Sequence, residues 1–133
     1  MIVFLTLPLA AQTPKAAAPA NPLSSDAREG WAFVKTLVLR AAEKMPEENY
    51  AFKPVPEVRS FGQLIGHITF SQQNLCAMVK GIPGPAPAAE KTAKADLIAA
   101  LKDSDAACDA AFENLTDANA TDARRSGARA ARA

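Results

Sequence analysis

Residues 45–81 read MPEENYAFKPVPEVRSFGQLIGHITFSQQNLCAMVKG, and this stretch decides the fold because it joins a proline-punctuated loop to a strongly marked helix. Pro46, Pro54 and Pro56 keep the loop out of regular structure. Ser60-Phe61-Gly62-Gln63 then fits a capping box, in which the Ser60 hydroxyl accepts from the Gln63 amide and Gln63 reaches back. The helix so opened spans 60–80 and ends at Gly81, with Pro83 just beyond. At 3.6 residues per turn Phe61, Leu64, Ile65, Ile68, Leu75 and Val79 fall within about 100° of arc, one apolar stripe. His67 is the only histidine of the chain. It flanks the stripe together with Gln63, Ser71 and Asn74, which form a polar strip along the border. Gly62 and Gly66 thin the far side of the helix, where another backbone can approach. Tyr50 and Phe52 are expected to tuck under the end of the bundle, since a loop of this length usually packs something.

A first helix is predicted over 25–45, with Ser24, Ser25 and Asp26 as N-cap candidates, Glu29 in the first turn and Pro46 as its stop. Ala27, Trp31, Val34, Val38, Ala41 and Met45 recur at helical spacing and make its inner stripe, with Trp31 as the core anchor. A third helix is predicted over 94–115, facing inward with Leu97, Leu101, Ser104, Cys108, Ala111, Phe112 and Leu115, and with Asp96 near its N-terminus. A Pro/Ala/Gly connection joins it to the second helix. If these two helices form an antiparallel hairpin, Cys76 and Cys108 differ in height by roughly 10–15 Å. A disulfide needs Cα atoms within about 7 Å, so buried free thiols are expected. After Leu115 no apolar residue is larger than alanine. The fold class is all-α: an up-down helical bundle with three clear helices, the fourth missing or degenerate. Three amphipathic helices without a fourth leave a groove unless they close on themselves or dimerise.

Composition excludes several classes of partner. The chain has 15 basic and 14 acidic residues, a net charge of +1, so no overall field draws it to nucleic acid or anionic lipid. Arg124, Arg125, Arg129 and Arg132 are a local excess in an Ala/Arg tail, read as solvated or frayed helix. Ile2 to Ala11 is an apolar run of signal-peptide length, too short to span a bilayer, with Ala10 and Ala11 as small residues for cleavage. No basic residue precedes it. Residues 1–22 therefore read as a signal-like leader and Ala/Pro linker, making the protein exported or periplasmic; the other reading is an uncleaved apolar tail on a cytoplasmic protein. Residues 23–116 form the helical domain and 117–133 the tail.

Several runs resemble the DinB-like superfamily of metalloenzymes: Ala41-Ala42-Glu43-Lys44-Met45-Pro46-Glu47-Glu48, then Tyr50-x-Phe52-x-Pro54-x-Pro56-Glu57-x-Arg59-Ser60-Phe61-Gly62-Gln63-Leu64, then Gly66-His67-Ile68. Lys94-Ala95-Asp96-Leu97-x-x-Ala100-Leu101 is similar to the start of that family's third helix. The resemblance covers about 23–116. It implies an up-down four-helix bundle holding one divalent metal, zinc or nickel, with three histidines. The first of these maps onto His67. The family role so implied is a metal-dependent hydrolase or a thiol-dependent transferase acting on a small-molecule or thiol substrate. The other two histidines belong to a fourth helix, and this sequence has neither. Its end reads as translation out of frame or through a truncated gene.

One imidazole cannot hold a metal tightly, because a catalytic centre needs about three protein ligands and an open position. Asp109, Glu113, Asp117 and Asp122 are the carboxylates that could stand in. Without a metal, His67 reads as a hydrogen-bonded histidine at a helix border. A Ser71–His67 pair lacks an orienting acid and an oxyanion element. Cys76 lacks the positive neighbours that activate a thiol. The charged loop residues Glu47, Glu48, Lys53, Glu57 and Arg59 read as solubilising. The alternative to the enzyme reading is a non-catalytic helical binding or dimerisation module, with a possible homodimer formed through the groove.

Overall fold

A computed structural model describes residues 20–86 and 91–121. It contains α1 (Pro22–Lys44), a short 3₁₀ turn (Glu47–Asn49), α2 (Phe61–Lys80) and α3 (Lys94–Glu113). The all-α bundle expected from the apolar periods is what forms. The leader, its cleavage point and the Arg-bearing end of the tail lie outside the described residues.

Helix α2 begins and ends as its sequence dictates. The Ser60 hydroxyl accepts from the Gln63 amide at 3.2 Å, and the Gln63 side chain accepts from the Ser60 amide at 2.9 Å. Gly81 adopts φ 69°, the left-handed turn that favours glycine, and Ile82 donates back to the Ala77 carbonyl at 3.0 Å. Helix α1 departs from expectation. It starts three residues early, at Pro22, with Asn21 in the N-cap position and no local side-chain cap. Its free amides are taken from a distance instead. The Asp117 carboxylate accepts from Ser24 at 2.8 Å and from Leu23 at 3.3 Å. Arg28 returns the favour at the other helix, donating to the carbonyls of Phe112 and Leu115 at 3.0 and 2.5 Å. One helix start and one helix end thus satisfy each other.

The pairing of α2 with α3 corrects the hairpin expectation. Leu97, near the start of α3, lies against Gly62 and Gly66 near the start of α2. Further along, the Ser104 hydroxyl donates to Gln72 Oε1 at 2.6 Å. Near the far ends Cys76 and Cys108 form a disulfide, with Cα atoms 5.1 Å apart. The two helices are therefore parallel, in a register of about 32 positions, the separation of both Gln72–Ser104 and Cys76–Cys108. The thirteen residues of 81–93 are long enough to join the end of α2 to the start of α3 at the opposite end of the bundle, since they can reach about 40 Å and a 20-residue helix is roughly 30 Å long. The height argument against a disulfide fails because it assumed the opposite direction for α3. Helix α1 runs antiparallel to both, its end near the start of α3, where Lys94 donates to the carbonyls of Glu43 and Met45.

The core has two parts. Ala42, Tyr50, Ile65, Leu97 and Leu101 pack at one end. Cys76, Cys108 and Ala111 pack at the other, covered by Trp31, Val79 and Phe112. Trp31 stacks on Phe112 at 5.8 Å, as an anchor should, but it is only half-buried and its indole donates to Asp109 at 2.7 Å. Tyr50 does tuck under the bundle and donates to the Ala42 carbonyl at 2.6 Å. Burial, and then the nearby Glu47, push its pKa up, which keeps it a donor. Phe52 does not follow it: it is 63% exposed.

Two stability predictions follow. The disulfide closes a loop of 32 residues and so constrains the unfolded chain by about 3–4 kcal/mol. Reduction, or Cys76→Ser with Cys108→Ser, should lower the melting temperature by about 10 °C or more in a thermal melt followed by circular dichroism. The two α2 glycines should respond oppositely to alanine. A Cβ at Gly62 would meet the Tyr50 carbonyl oxygen at 3.2 Å, and that carbonyl is pinned by the Gly62 amide at 2.9 Å. At Gly66 the nearest atom is a flexible Leu97 methyl at 3.6 Å. Gly66→Ala should therefore stabilise by up to ~1 kcal/mol through helix propensity, while Gly62→Ala should destabilise, both read from urea midpoints.

Candidate functional site

The three helices leave one side of the bundle uncovered. Helices α1 and α2 both pack on α3, and each turns part of its apolar stripe past that contact. On α1, Ala27, Val34 and Ala41 are exposed although they belong to the predicted inner stripe; Leu37 lies beside them. On α2, Leu64 and Leu75 are exposed in the same way. The stripes were read correctly as apolar faces, but only part of each is buried. What stays open to solvent is an apolar face on α1 and another on α2, where the sequence predicts a groove.

His67 flanks the open face of α2 and is exposed. Gln63, Ser71 and Asn74 lie on the same outer strip of α2, as the spacing requires, but they do not converge on the imidazole. Gln63 is committed to Ser60, and Asn74 donates to the Phe70 carbonyl at 2.8 Å. Ser71 is half-buried. Among the described residues His67 has no hydrogen-bond partner, so the border-histidine reading gains no partner either.

The carboxylates that could have completed a metal site sit elsewhere. Asp109 faces α1, where it takes both hydrogen bonds of Lys35 Nζ at 2.7 Å and the Trp31 indole. Burial would raise its pKa, but these donors outweigh it and hold the carboxyl below the ordinary carboxylate range. Asp117 is likewise held low, chiefly by the Ser24 amide. Glu113 is exposed at the end of α3, and Asp122 lies outside the described residues. Nowhere among the described residues do three His, Cys, Asp or Glu side chains come together. The side chains around His67 thus do not fit a three-ligand metal centre.

Sequence reading missed one buried charge. Asp105 is 6% exposed at the interface of α3 with α1, and its Oδ1 has no hydrogen-bond partner. Desolvation raises its pKa; Asp109 adds to this, while Lys35 and Gln72 act in the opposite sense. The signal was available as an acidic residue next to Ser104 in the inner stripe, one position off the apolar centre.

These features define a class: an all-α bundle of three helices with apolar faces left open on two of them and a lone imidazole beside one. The chain belongs to the DinB superfamily, whose family model matches residues 31–132. That match continues past Thr116, where the resemblance read from motifs stopped. No curated protein and no solved structure matches the chain. No helix among the described residues is long and apolar enough to cross a membrane.

Asp105 yields a test of the polar interface. A folded pKa above the unfolded value contributes stability that is fully present below the unfolded pKa and lost as pH rises through the folded one. Asp105→Asn should therefore stabilise the protein at pH 7, by about 1 kcal/mol for relieving an unpaired buried charge, and should flatten the fall in stability between acid and neutral pH. Denaturant titrations at pH 4 and pH 7 measure both effects.

Proposed function

We propose that this domain works by docking its open groove onto a second copy of itself, with His67 on the rim at the metal-ligand position of the DinB family. One observation carries the reading: Val34, Leu37, Leu64 and Leu75 are 50, 50, 44 and 60% exposed along the groove walls. Exposed apolar patches larger than a few hundred Å² mark interaction sites. A homodimer covers it by symmetry, like against like.

The metal-dependent role comes to this chain through the family alone. Zinc or nickel, a hydrolase or thiol-dependent transferase reaction, and a small-molecule or thiol substrate all presuppose two donors beyond His67. A symmetric pair brings two imidazoles, still one short of a closed set. The domain is thus a helical binding and dimerisation module that carries a ligand position without a complete centre. Export to an oxidising compartment is supported by the Cys76–Cys108 disulfide and by the apolar leader.

Sedimentation equilibrium of the oxidised chain should give a dimer, and Leu75→Glu should return it to monomer with unchanged helicity. After dialysis against zinc, elemental analysis should find well under one zinc per chain. A wild-type monomer contradicts the docking reading. Stoichiometric zinc that His67→Ala abolishes contradicts the incomplete-centre reading.

A further inference from the structure

At the end of the bundle, the loop after the 3₁₀ turn stands off the start of α2 and encloses an open cleft of about 950 Å³. That is the upper end of the size range of small-molecule sites, roughly 300–1,000 Å³. Phe52, Val58 and Leu64 line it, and they are 63, 42 and 44% exposed. Large apolar side chains left in water along one cleft cost free energy that an apolar ligand would recover.

The polar groups of the cleft give the ligand its charge. Lys53 and Arg59 both line it, and neither engages in an ion pair among the described residues, where Lys35 and Lys102 take the carboxylates of Asp109 and Glu43. Glu57 is the one acidic residue in the lining, so the balance is two cations to one anion. Gln63 has its Oε1 committed to the Ser60 amide, which leaves its amide nitrogen as a donor. The start of α2 itself offers nothing. Its amides at Phe61, Gly62, Gln63 and Leu64 donate to Phe52 O, Tyr50 O, Ser60 Oγ and Ser60 O. Recognition must therefore come from side chains: a guanidinium and an ammonium for an anionic head, with Phe52, Val58 and Leu64 for an apolar body. A guanidinium takes a carboxylate through two parallel hydrogen bonds.

We infer that this cleft binds a small amphiphilic carboxylate, its head on Lys53 and Arg59 and its apolar body on Phe52, Val58 and Leu64. The inference does not rest on the docking reading: the cleft shares only Leu64 with the groove, and Val34, Leu37 and Leu75 take no part in it. It does place the ligand about one helical turn from His67, since Gln63 and Leu64 precede His67 by four and three residues.

Sodium octanoate is the probe, titrated into the ¹⁵N-labelled, oxidised full chain and read by amide shifts. Saturable shifts should centre on residues 52–64. Lys53→Ala with Arg59→Ala should weaken binding at least about fivefold, as expected for loss of charge-assisted bonds; Phe52→Ala should weaken it too, and Glu57→Gln should strengthen it. These residues are exposed, so the variants keep the core. Octanol, the neutral analogue, should bind much more weakly. Leu75→Glu, which breaks the groove, should leave octanoate binding unchanged. The inference is overturned by absence of saturable binding, by equal binding of octanol, by indifference to the paired Lys53/Arg59 substitution, or by loss of binding in Leu75→Glu. The last result would put the probe in the groove.

Discussion

The parallel seam between α2 and α3 is the constraint on which the rest of the molecule rests. Ile65, Thr69, Gln72 and Cys76 repeat at spacings of four, three and four, and Leu97, Leu101, Ser104 and Cys108 repeat them 32 positions later. Each level of the seam is settled by its own chemistry. Ile65 and Leu97 meet in an apolar cluster with Tyr50. Thr69 returns its hydroxyl proton to the Ile65 carbonyl at 2.9 Å, and so enters the interior without an unpaired donor. The Ser104 hydroxyl shares its proton between Gln72 and the Leu101 carbonyl. The disulfide closes the last level. A small domain with few large side chains in its core gains most from such a covalent tie.

Helix α1 is held on different terms. Its attachments to α3 are mostly polar and concentrated at the ends: Asp117 on its first turn, Arg28 on the end of α3, and Lys94 on its last carbonyls. The Lys35–Asp109 pair stands in between, and the Lys102–Glu43 pair joins the last turn of α1 to α3. Partly exposed ion pairs contribute little, about 0–1 kcal/mol each. The buried carboxyl of Asp105 works against the same interface. What fixes α1 in direction is therefore the mutual capping of helix ends, and what it lacks is apolar contact on its groove side. A partner covering the groove would stabilise α1 as much as it gained contact of its own.

Sequence reading recovered the elements whose causes are local. The capping box at Ser60, the glycine stop at Gly81 and the apolar periods each depend on residues a few positions apart, and each stands in the structure. The start of α1 did not, because its cap, Asp117, lies 93 residues from the amide it serves. The direction of α3 was legible in principle. A connection of thirteen residues is longer than an antiparallel pair of helices usually needs, about 2–8, and the matched spacings of the two stripes mark parallel register. The site was legible only as a position. His67 and its strip fall where the period puts them, yet nothing local determines whether other helices bring donors to them.

The angle between stripe and contact makes the groove a property of the sequence as well as of this structure. Taking 100° per residue, the apolar stripe of α1 centres roughly 80° from the face that meets α3, and that of α2 roughly 70° from its own. Both are displaced toward the same side. A helix in a three-helix bundle with no other partner needs a single apolar face directed between its two neighbours. Here part of each apolar face stands open to solvent, at Val34 and Leu37 on α1 and at Leu64 and Leu75 on α2. Under the docking proposed, Val34 and Leu75 belong to one contact surface shared by both helices, and the polar strip of His67 begins where that surface ends. Under that docking, an element covering the surface would pass beside the imidazole, and its side chains would decide what chemistry is open to His67.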